Sequence, residues 1–321
     1  MERPLLSIVS PVYKGEKMLV ELVSRIKGSV ETFTLNYEII LINDCSPDNS
    51  WAIIKTICAT DKKVKGINLS RNFGQPYAIT AGLTYSSGGY VAVIDCDLQN
   101  RPEDIPLLYD KAISEDLDIV YACRKIRSDG TLKRFSSSFF HKVYNYLTGL
   151  DSSKEIAEFG IYKRNVINVY CKIPEYSRTF CELVQTLGFK SDFVEVTHDK
   201  RAEGKSSYTF IRLLSLSFDA MISNSNKPLQ LSVGCGFLMS FLSLLLNILN
   251  VIAGFLGYNE VAGYTTTIFS IWFVGGLLLM MLGILGLYVG KIYDQVKGRP
   301  IFIVRDLLNF NNDQEHKFVN F

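Results

Sequence analysis

The sequence predicts an α/β protein: an open, doubly wound sheet of mainly parallel strands, followed by a C-terminal two-helix transmembrane hairpin. Short apolar runs rich in β-branched residues alternate with amphipathic stretches of helical length through residues 1–125, as in parallel βα units. Residues 228–259 and 261–290 contain no Lys, Arg, Asp or Glu. The 321-residue chain therefore combines a globular body with a small membrane part, which excludes a fully soluble protein and a polytopic transporter.

The predicted sheet begins with five strands and four intervening helices. The strands are Leu5–Val12, Glu38–Ile42, Val64–Leu69, Tyr90–Ile94 and Asp118–Tyr121, and the helices are Met18–Val30, Ser50–Cys58, Pro76–Tyr85 and Pro102–Ser114. Further short strands are expected near Phe159–Lys163 and Asp192–Thr197. Ligands of such sheets bind at the carboxyl ends of the strands, so functional residues are sought directly after each strand.

The two uncharged segments predict membrane spans over Leu231–Gly257 and Thr266–Tyr288, since about 20 apolar residues cross a bilayer. Basic residues flank the pair but are missing from the link between them, which places both termini in the cytoplasm. The alternative is an apolar hairpin buried in a soluble fold. We expect the hairpin to anchor the protein, and it could also form a homo-oligomer interface.

These patterns divide the chain into three parts. Residues 1–227 form the cytoplasmic domain, 228–293 the transmembrane hairpin and 294–321 a cytoplasmic tail, which we expect to fray after Arg305. Residues 208–226 read either as an interfacial helix on the membrane surface or as an ordinary core helix. The start of the chain has too short an apolar run for a signal peptide, so the predicted location is the cytoplasmic membrane, multi-pass, with the body in the cytosol.

Composition narrows the function. The net charge of +2 argues against a nucleic-acid partner bound through a strong basic field. The seven cysteines are odd in number and contain no C-x-x-C pair, which favours a reducing compartment over disulfides or a zinc site. Neither G-x-G-x-x-G nor G-x-x-x-x-G-K-[ST] occurs, which disfavours dinucleotide oxidoreductases and P-loop enzymes.

Polar groups follow three predicted strands in succession. Asp95-Cys96-Asp97 follows the fourth strand, and two carboxylates at this spacing suit a hard divalent cation shared with phosphates. The other two segments are 43–48, which holds Asp44, and 70–74, which holds Arg71. Taken singly, each could be a solvated strand end or a turn. Three in a row indicate a site for phosphate or metal.

Four segments carry a resemblance to a known family. SIVSPVYKGEKML, EIILINDCSPDNSW, LSRNFGQPYAITAGL and VAVIDCDLQNRPEDI resemble the nucleotide-sugar half of glycosyltransferase family 2, in particular its polyprenyl-phosphate branch. The resemblance continues through RTFCELVQTLGFK and KRAEGKSSY and covers roughly residues 5–305. It implies a GT-A fold, a nucleotide-sugar donor, Mg²⁺ or Mn²⁺ as cofactor, and undecaprenyl or another polyprenyl phosphate as acceptor.

The resemblance also implies a role for individual residues. Pro11, Tyr13 and Glu16 would line the nucleotide pocket, Asp44 would contact the base, Asp95 would face the nucleotide or sugar, Asp97 would bind the metal, and Gln99 would lie near the sugar. Arg201 and Lys205 would neutralise the donor diphosphate or the lipid phosphate, and Arg178 would lie on the acceptor side.

Three departures from the family pattern affect these roles. Asn43 replaces the first of the two aspartates that the family often has at the base site, and Glu16 is the single glutamate left after Tyr13. At the acceptor site the family most commonly has an Asp followed by Phe-Arg, whereas this sequence has Glu158-Phe159-Gly160. Glu158 could replace that aspartate as a catalytic or orienting residue, or it could be a surface glutamate.

The function expected from these features is that of an inverting hexosyltransferase. It would move a sugar, glucose favoured, from a nucleotide sugar, UDP favoured, to polyprenyl phosphate on the cytoplasmic face of the membrane. A processive polysaccharide synthase is disfavoured because neither Trp51 nor Trp272 lies in a Q-x-x-R-W motif. A hydroxyl acceptor on another lipid or glycan, and a non-catalytic subunit that binds nucleotide sugars, remain as alternatives.

Overall fold

The computed structural model describes residues 4–124, 156–176, 179–196, 227–255 and 264–310. Within them, eight strands form one sheet in the order β7-β5-β6-β4-β1-β2-β3-β8. The strands are β1 Leu6–Val12, β2 Tyr37–Asn43, β3 Val64–Leu69, β4 Tyr90–Val93, β5 Ile119–Arg124, β6 Ile156–Lys163, β7 Ser191–Val196 and β8 Val304–Leu308. The first five confirm the predicted strands to within a few residues.

The sheet is parallel at its centre and mixed toward its edges. Strands β4, β1, β2 and β3 pair in parallel, which is the predicted arrangement. Strand β6 lies between β4 and β5 and is antiparallel to both, while β7 pairs in parallel with β5. Every residue of β1 and β2 is buried, because helices cover both faces of the sheet. The architecture is a GT-A-like mixed α/β sheet.

Six helices of the described part cover the two faces of this sheet. They are α1 Leu19–Val30, α2 Ser50–Thr60, α3 Gln75–Tyr85, α4 Ile105–Ser114, α5 Arg164–Lys172 and α6 Phe180–Thr186. Helices α1, α2 and α4 contribute to one hydrophobic core and α3, α5 and α6 to the other. Alternate strand residues such as Ile8 and Val9 enter opposite cores, as the two-residue period of a strand requires. The sheet is therefore doubly wound, as predicted.

Helix α3 approaches the sheet closely because of Gly82. A Cβ atom at this position would lie 2.4 Å from Cγ1 of Val9 and 2.6 Å from Cδ1 of Ile42. Real Cβ atoms do not approach heavy atoms that closely, so a larger residue would push the helix away from β1 and β2. The lack of a side chain lets α3 pack closely on β1 and β2, and the helix begins at Gln75.

The expectation of a frayed end after Arg305 is wrong for residues up to Phe310. Strand β8 pairs antiparallel with β3, and Asn309 donates to the carbonyl oxygens of Cys58 and Val64, both at 2.7 Å. An uncovered β3 would present unpaired N–H and C=O groups, and β8 satisfies them. The sequence-based expectation failed because it weighed the polar composition of the tail and not this open strand edge.

The chain divides into two compact units, and the second holds two long helices. One unit comprises 1–138, 150–206 and 299–321, and the other comprises 139–149 and 207–298. The long helices are α7 Lys227–Phe255 and α8 Tyr264–Val296. Among the described residues, one segment is long and apolar enough to cross a membrane, Phe273–Val296 in α8. One apolar helix is thereby confirmed, and the two-span hairpin stays a prediction. The 208–226 helix lies outside the described residues.

Candidate active site

Left-handed backbone conformations occur after each of the four parallel central strands. The φ angles are 56° at Lys14 after β1, 49° at Cys45 after β2, 101° at Gly74 after β3 and 58° at Leu98 after β4. Non-glycine residues in this region cost on the order of 1 kcal/mol each, and such residues cluster at functional sites. The strain at this edge of the sheet therefore supports the strand ends as the place to look for chemistry.

The loops after β1 and β2 are held together by hydrogen bonds. The backbone N–H of Lys14 donates to Oγ of Ser46 at 2.7 Å, and that of Glu16 donates to Oδ2 of Asp48 at 3.2 Å. In return, Oε2 of Glu16 accepts the N–H of Asn49 at 2.8 Å. Burial raises the pKa of Asp48, but bonds from Ser46 and Ser50 outweigh it and leave this pKa below its usual value. Asp48 is therefore a structural carboxylate.

Asp44 organises the turn that follows β3. Its Oδ1 accepts the backbone N–H of Phe73 and its Oδ2 that of Gly74, both at 2.8 Å. The residue is 3% exposed, and burial raises its pKa although the two N–H groups oppose that shift. The family resemblance implies that Asp44 contacts the base of a nucleotide. The structure shows a second task for it, which is to hold the turn that leads into α3.

Gln75, the first residue of α3, is a site residue that sequence analysis missed. Its Nε2 donates to Oδ1 of Asp95 at 2.7 Å, so the turn held by Asp44 reaches across to the end of β4. The signal was present in the sequence as a polar residue directly after a strand-end turn and before Pro76, at the start of a helix. Gln75 orients one of the two carboxylates of the predicted metal site.

Asp95 and Asp97 could bind a divalent cation, because both side chains offer carboxylate oxygens. Both are partly exposed at the end of β4, whereas Cys96 between them is buried in the core and burial raises the pKa of its thiol to about 12. The two carboxylates of this segment offer oxygen ligands, which Mg²⁺ and Mn²⁺ prefer. Oδ1 of Asp97 accepts the backbone N–H of Gln99 at 3.1 Å, which orients this carboxylate.

Few side chains of the described residues could act as ligands of a metal ion. The described residues contain no group of three or more His, Cys, Asp or Glu residues that could hold an ion by themselves. Mg²⁺ commonly uses one or two carboxylates together with waters and substrate phosphates. The residues therefore fit an ion that is held jointly with a phosphorylated ligand.

The remaining predicted residues fall into two groups. Pro11 is buried within β1, and Tyr13 is 47% exposed directly after it. Glu158 belongs to β6, but its side chain is not described. Arg178, Arg201 and Lys205 lie outside the described residues. The structure thus brings together the strand-end residues, whereas the roles predicted for Glu158 and the three cations stay predictions.

Comparison with known proteins identifies the family. Residues 7–180, which include all four strand ends, match the family model described as "Glycosyl transferase family 2". The chain belongs to glycosyltransferase family 2. The resemblance read from the sequence is thereby confirmed, and the protein is an enzyme of the glycosyltransferase class.

This glycosyltransferase is similar over nearly its whole length to named relatives. It is 37% identical over 309 residues to the undecaprenyl-phosphate 4-deoxy-4-formamido-L-arabinose transferase of Shewanella sediminis, covering 94% of this chain and 92% of the relative. It is 32% identical over 301 residues to a prophage-derived bactoprenol glucosyl transferase of Shigella flexneri, covering 94% and 97%.

Among solved structures, the glycosyltransferase is similar to glucosyl-3-phosphoglycerate synthase from Mycobacterium tuberculosis, solved with Mn²⁺, UDP and glucosyl-3-phosphoglycerate. The TM-score is 0.51 at 17% identity, covering 69% of this chain and 78% of that one. At this identity the likeness concerns the fold, and it agrees with the GT-A-like sheet.

Proposed function

We propose that this glycosyltransferase transfers a sugar from a nucleotide-sugar donor to a polyprenyl phosphate at the cytoplasmic face of a membrane. The observation that carries the proposal is the Asp95–Asp97 pair at the end of β4, oriented by Gln75 and by the backbone of Gln99. Two oriented carboxylates suit a metal shared with a diphosphate, and nucleotide sugars contain a diphosphate. UDP is the favoured nucleotide and glucose the favoured sugar.

The acceptor is inferred from the relatives and from α8. Both named relatives act on undecaprenyl phosphate or bactoprenol according to their names. Large apolar side chains are exposed on this helix, for example Leu279 at 72% and Leu282 at 62%, and such surfaces mark lipid or protein contact. Phe237 on α7 is 75% exposed, which supports a membrane span in α7 as well. The proposal is therefore that α7 and α8 form a transmembrane hairpin.

The strand-end loops are proposed to hold the donor. Pro11, Tyr13, Glu16 and Asp44 line the nucleotide pocket, and Gln99 lies near the sugar. The hydrogen bonds between the loops after β1 and β2 support this, because they fix the loops before a ligand arrives. Arg201 and Lys205 neutralise phosphate charge, Arg178 lies on the acceptor side, and Glu158 acts as a catalytic or orienting residue.

The proposed reaction is a single displacement that inverts the configuration at the anomeric carbon of the sugar. An oxygen of the lipid phosphate forms a bond to the anomeric carbon while the bond to the nucleoside diphosphate breaks, and its electron pair leaves with the diphosphate. The second pKa of a phosphate monoester is about 6, so the acceptor is mainly a dianion at neutral pH and needs no strong general base. Mg²⁺ or Mn²⁺ held by Asp97 would supply positive charge for the leaving diphosphate.

The test is a transfer assay with the full-length protein in detergent or nanodiscs. Labelled UDP-glucose, UDP-N-acetylglucosamine, GDP-mannose and a UDP-linked aminoarabinose derivative are each incubated with undecaprenyl phosphate and Mg²⁺ or Mn²⁺, and label in the lipid phase is counted. We expect one donor to label the lipid, and the anomeric configuration of the product to be opposite to that of the donor.

Parallel arms separate the competing acceptors. Undecaprenol, which lacks the phosphate, and a diacylglycerol test a hydroxyl acceptor under the same conditions. Label in these arms but not with undecaprenyl phosphate would replace the proposed acceptor. Binding of a nucleotide sugar without transfer to any acceptor would indicate a non-catalytic subunit and contradict the proposal.

A further inference from the structure

A row of polar side chains crosses three strands at the carboxyl edge of the sheet. Asn43 in β2 is the register partner of Asn68 in β3, which is the register partner of Asp306 in β8. Nδ2 of Asn68 donates to Oδ2 of Asp306 at 2.7 Å, and Nδ2 of Asn43 donates to Oδ1 of Asn68 at 2.8 Å. Oδ1 of Asn43 accepts the backbone N–H of Ser46 at 3.3 Å. The row links the tail strand to the loop after β2.

The two ends of the row determine the direction of both amides. A backbone N–H can only donate and an ionised carboxylate can only accept. Ser46 therefore requires the oxygen of Asn43, which turns the NH₂ group of Asn43 toward Asn68. Asp306 requires the NH₂ group of Asn68, which turns its oxygen toward Asn43. The two requirements agree, so each amide has one orientation that satisfies both of its neighbours.

Burial makes this agreement energetically important. Asn43 is 3% exposed and Asn68 is 7% exposed, so neither amide can replace a lost partner freely with bulk water. A buried polar group left without a partner costs roughly 1–3 kcal/mol, and linked groups depend on one another. The side chain of Asp306 is 47% exposed, so it can be replaced without opening the core.

We propose that Asp306 is a positioning residue for the nucleotide-sugar donor. It orients Asn68 and Asn43, which hold Ser46, and Oγ of Ser46 accepts the backbone N–H of Lys14 at 2.7 Å. Both loops of the proposed nucleotide pocket thus depend on a strand that follows the membrane helices in the chain. This inference rests on the proposed function, because that function places the nucleotide at these loops.

The consequence is a specific kinetic effect. A pocket whose loops are ordered before binding loses less conformational entropy when the ligand arrives. Without Asp306, the NH₂ group of Asn68 loses its acceptor and only Ser46 still fixes the direction of the two amides, so the loop after β2 must be ordered in part by the donor. We expect this to weaken donor binding while leaving the Asp95–Asp97 pair, and hence the chemical step, largely intact.

The experiment compares Asp306→Ala with Asp306→Asn and with a matched control. An asparagine still offers an oxygen to Asn68, so Asp306→Asn should restore the row. The control is Asp192→Ala in β7, at the opposite edge of the sheet, where the aspartate is 46% exposed and pairs with Lys111 at 2.6 Å. We expect donor KM and Kd to rise about tenfold in Asp306→Ala and to stay within about twofold of wild type in the other two variants.

A second measurement follows the loop itself without any donor. Amide hydrogen exchange of residues 44–50 should be faster in Asp306→Ala and near wild type in Asp306→Asn, while exchange of the distant strand β5 stays unchanged in both; a general loss of stability would speed exchange in β5 as well. Unchanged exchange in the loop, or a fall in kcat and Tm at constant KM, would overturn the positioning role. A wild-type protein that binds no nucleotide sugar would instead overturn the proposed function, and the exchange experiment would still report on the row.

Discussion

The two ends of the central strands hold carboxylates in opposite ways. At the amino end, Glu38 is 3% exposed, and its Oε2 lies 2.6 Å from Nζ of Lys65. Its Oε1 accepts bonds from the hydroxyl of Ser7 at 2.6 Å and from the N–H and hydroxyl of Ser87 at 2.7 and 2.9 Å. At the carboxyl end, Asp95 and Asp97 are partly exposed on a strained loop.

The difference separates a structural carboxylate from the carboxylates of the candidate site. A carboxylate enclosed by a lysine and three hydrogen bonds contributes to stability and offers little room for a ligand. A partly exposed carboxylate, oriented by a neighbour such as Gln75, is prepared to meet one. Residue type alone does not distinguish the two, since Glu38 lies within the buried strand β2 and Asp95 and Asp97 follow the buried strand β4, and all three are acidic. Substitutions on the two sides of this contrast should therefore have different consequences.

Asp97→Asn should reduce transfer by about 10²–10³-fold, because an amide cannot supply the negative charge that a divalent cation needs. The Tm should stay near that of wild type, because the residue is partly exposed and its bond to the N–H of Gln99 can be made by an amide oxygen. Initial rates of lipid labelling and thermal unfolding check both statements. Asp110→Asn, the same change at an exposed position of α4, is the control. Wild-type turnover by folded Asp97→Asn would remove this residue from the metal site.

Glu38→Gln should lower the free energy of unfolding by about 3 kcal/mol, because it leaves Lys65 without its charge partner at a largely buried position. The matched control is Glu103→Gln, where the glutamate is 42% exposed and pairs with Arg25. That surface pair should contribute at most about 1 kcal/mol. Urea unfolding of both variants measures the difference. Equal losses would mean that burial does not distinguish the two pairs.

Gln75→Ala should lower kcat about tenfold, because residues that orient a metal ligand typically contribute a factor of 10–100. Gln75→Glu should lower kcat further, since a carboxylate cannot donate a hydrogen bond to Asp95 and repels it. Steady-state rates at saturating donor and metal show whether kcat decreases from wild type to Gln75→Ala to Gln75→Glu. A Gln75→Ala enzyme as active as wild type would show that Asp95 is oriented sufficiently by its own strand.

Acid should destabilise the amino end of the sheet. Burial raises the pKa of Glu38, but Lys65, Ser7 and Ser87 outweigh it and leave this pKa below its usual value of 4.5. Because the pKa of Glu38 is lowered in the folded state, its charge contributes to the free energy of unfolding above the unfolded-state pKa. This contribution is lost as the pH falls through the folded-state pKa. The unfolding free energy should therefore decrease below about pH 4.5, and less so in Glu38→Gln. Identical pH profiles of the two proteins would contradict the assignment.

Local patterns predicted the parallel half of the sheet well. Strands β1 to β4 are short β-branched runs separated by amphipathic helices, and their periodicity survives in the structure because neighbouring elements along the chain pack together. The Asp95–Asp97 pair was recognisable for the same reason, since it directly follows β4. The antiparallel insertion of β6 between β4 and β5 could not be predicted, because it depends on pairing between distant segments.

Long-range partners escaped sequence analysis. Gln75 and Asp95 lie 20 residues apart in the sequence and meet where α3 begins beside the end of β4. Asp306 meets Asn68 because β8 returns to the edge of β3, where it satisfies open backbone groups. No spacing rule within the chain encodes either contact, since each depends on strand register.

The sequence by itself determined the doubly wound α/β sheet, the glycosyltransferase family and the acidic pair after the fourth strand, because these depend on short-range periodicity and contiguous motifs. The tertiary structure alone decided which carboxylates are structural, which residues orient the carboxylates of the candidate metal site, and that the tail pairs with the edge of the sheet. The physical reason is that burial and hydrogen-bond partners are properties of the assembled strands. Glu38 and Asp97 have closely related side chains, and they differ in what the fold places around them.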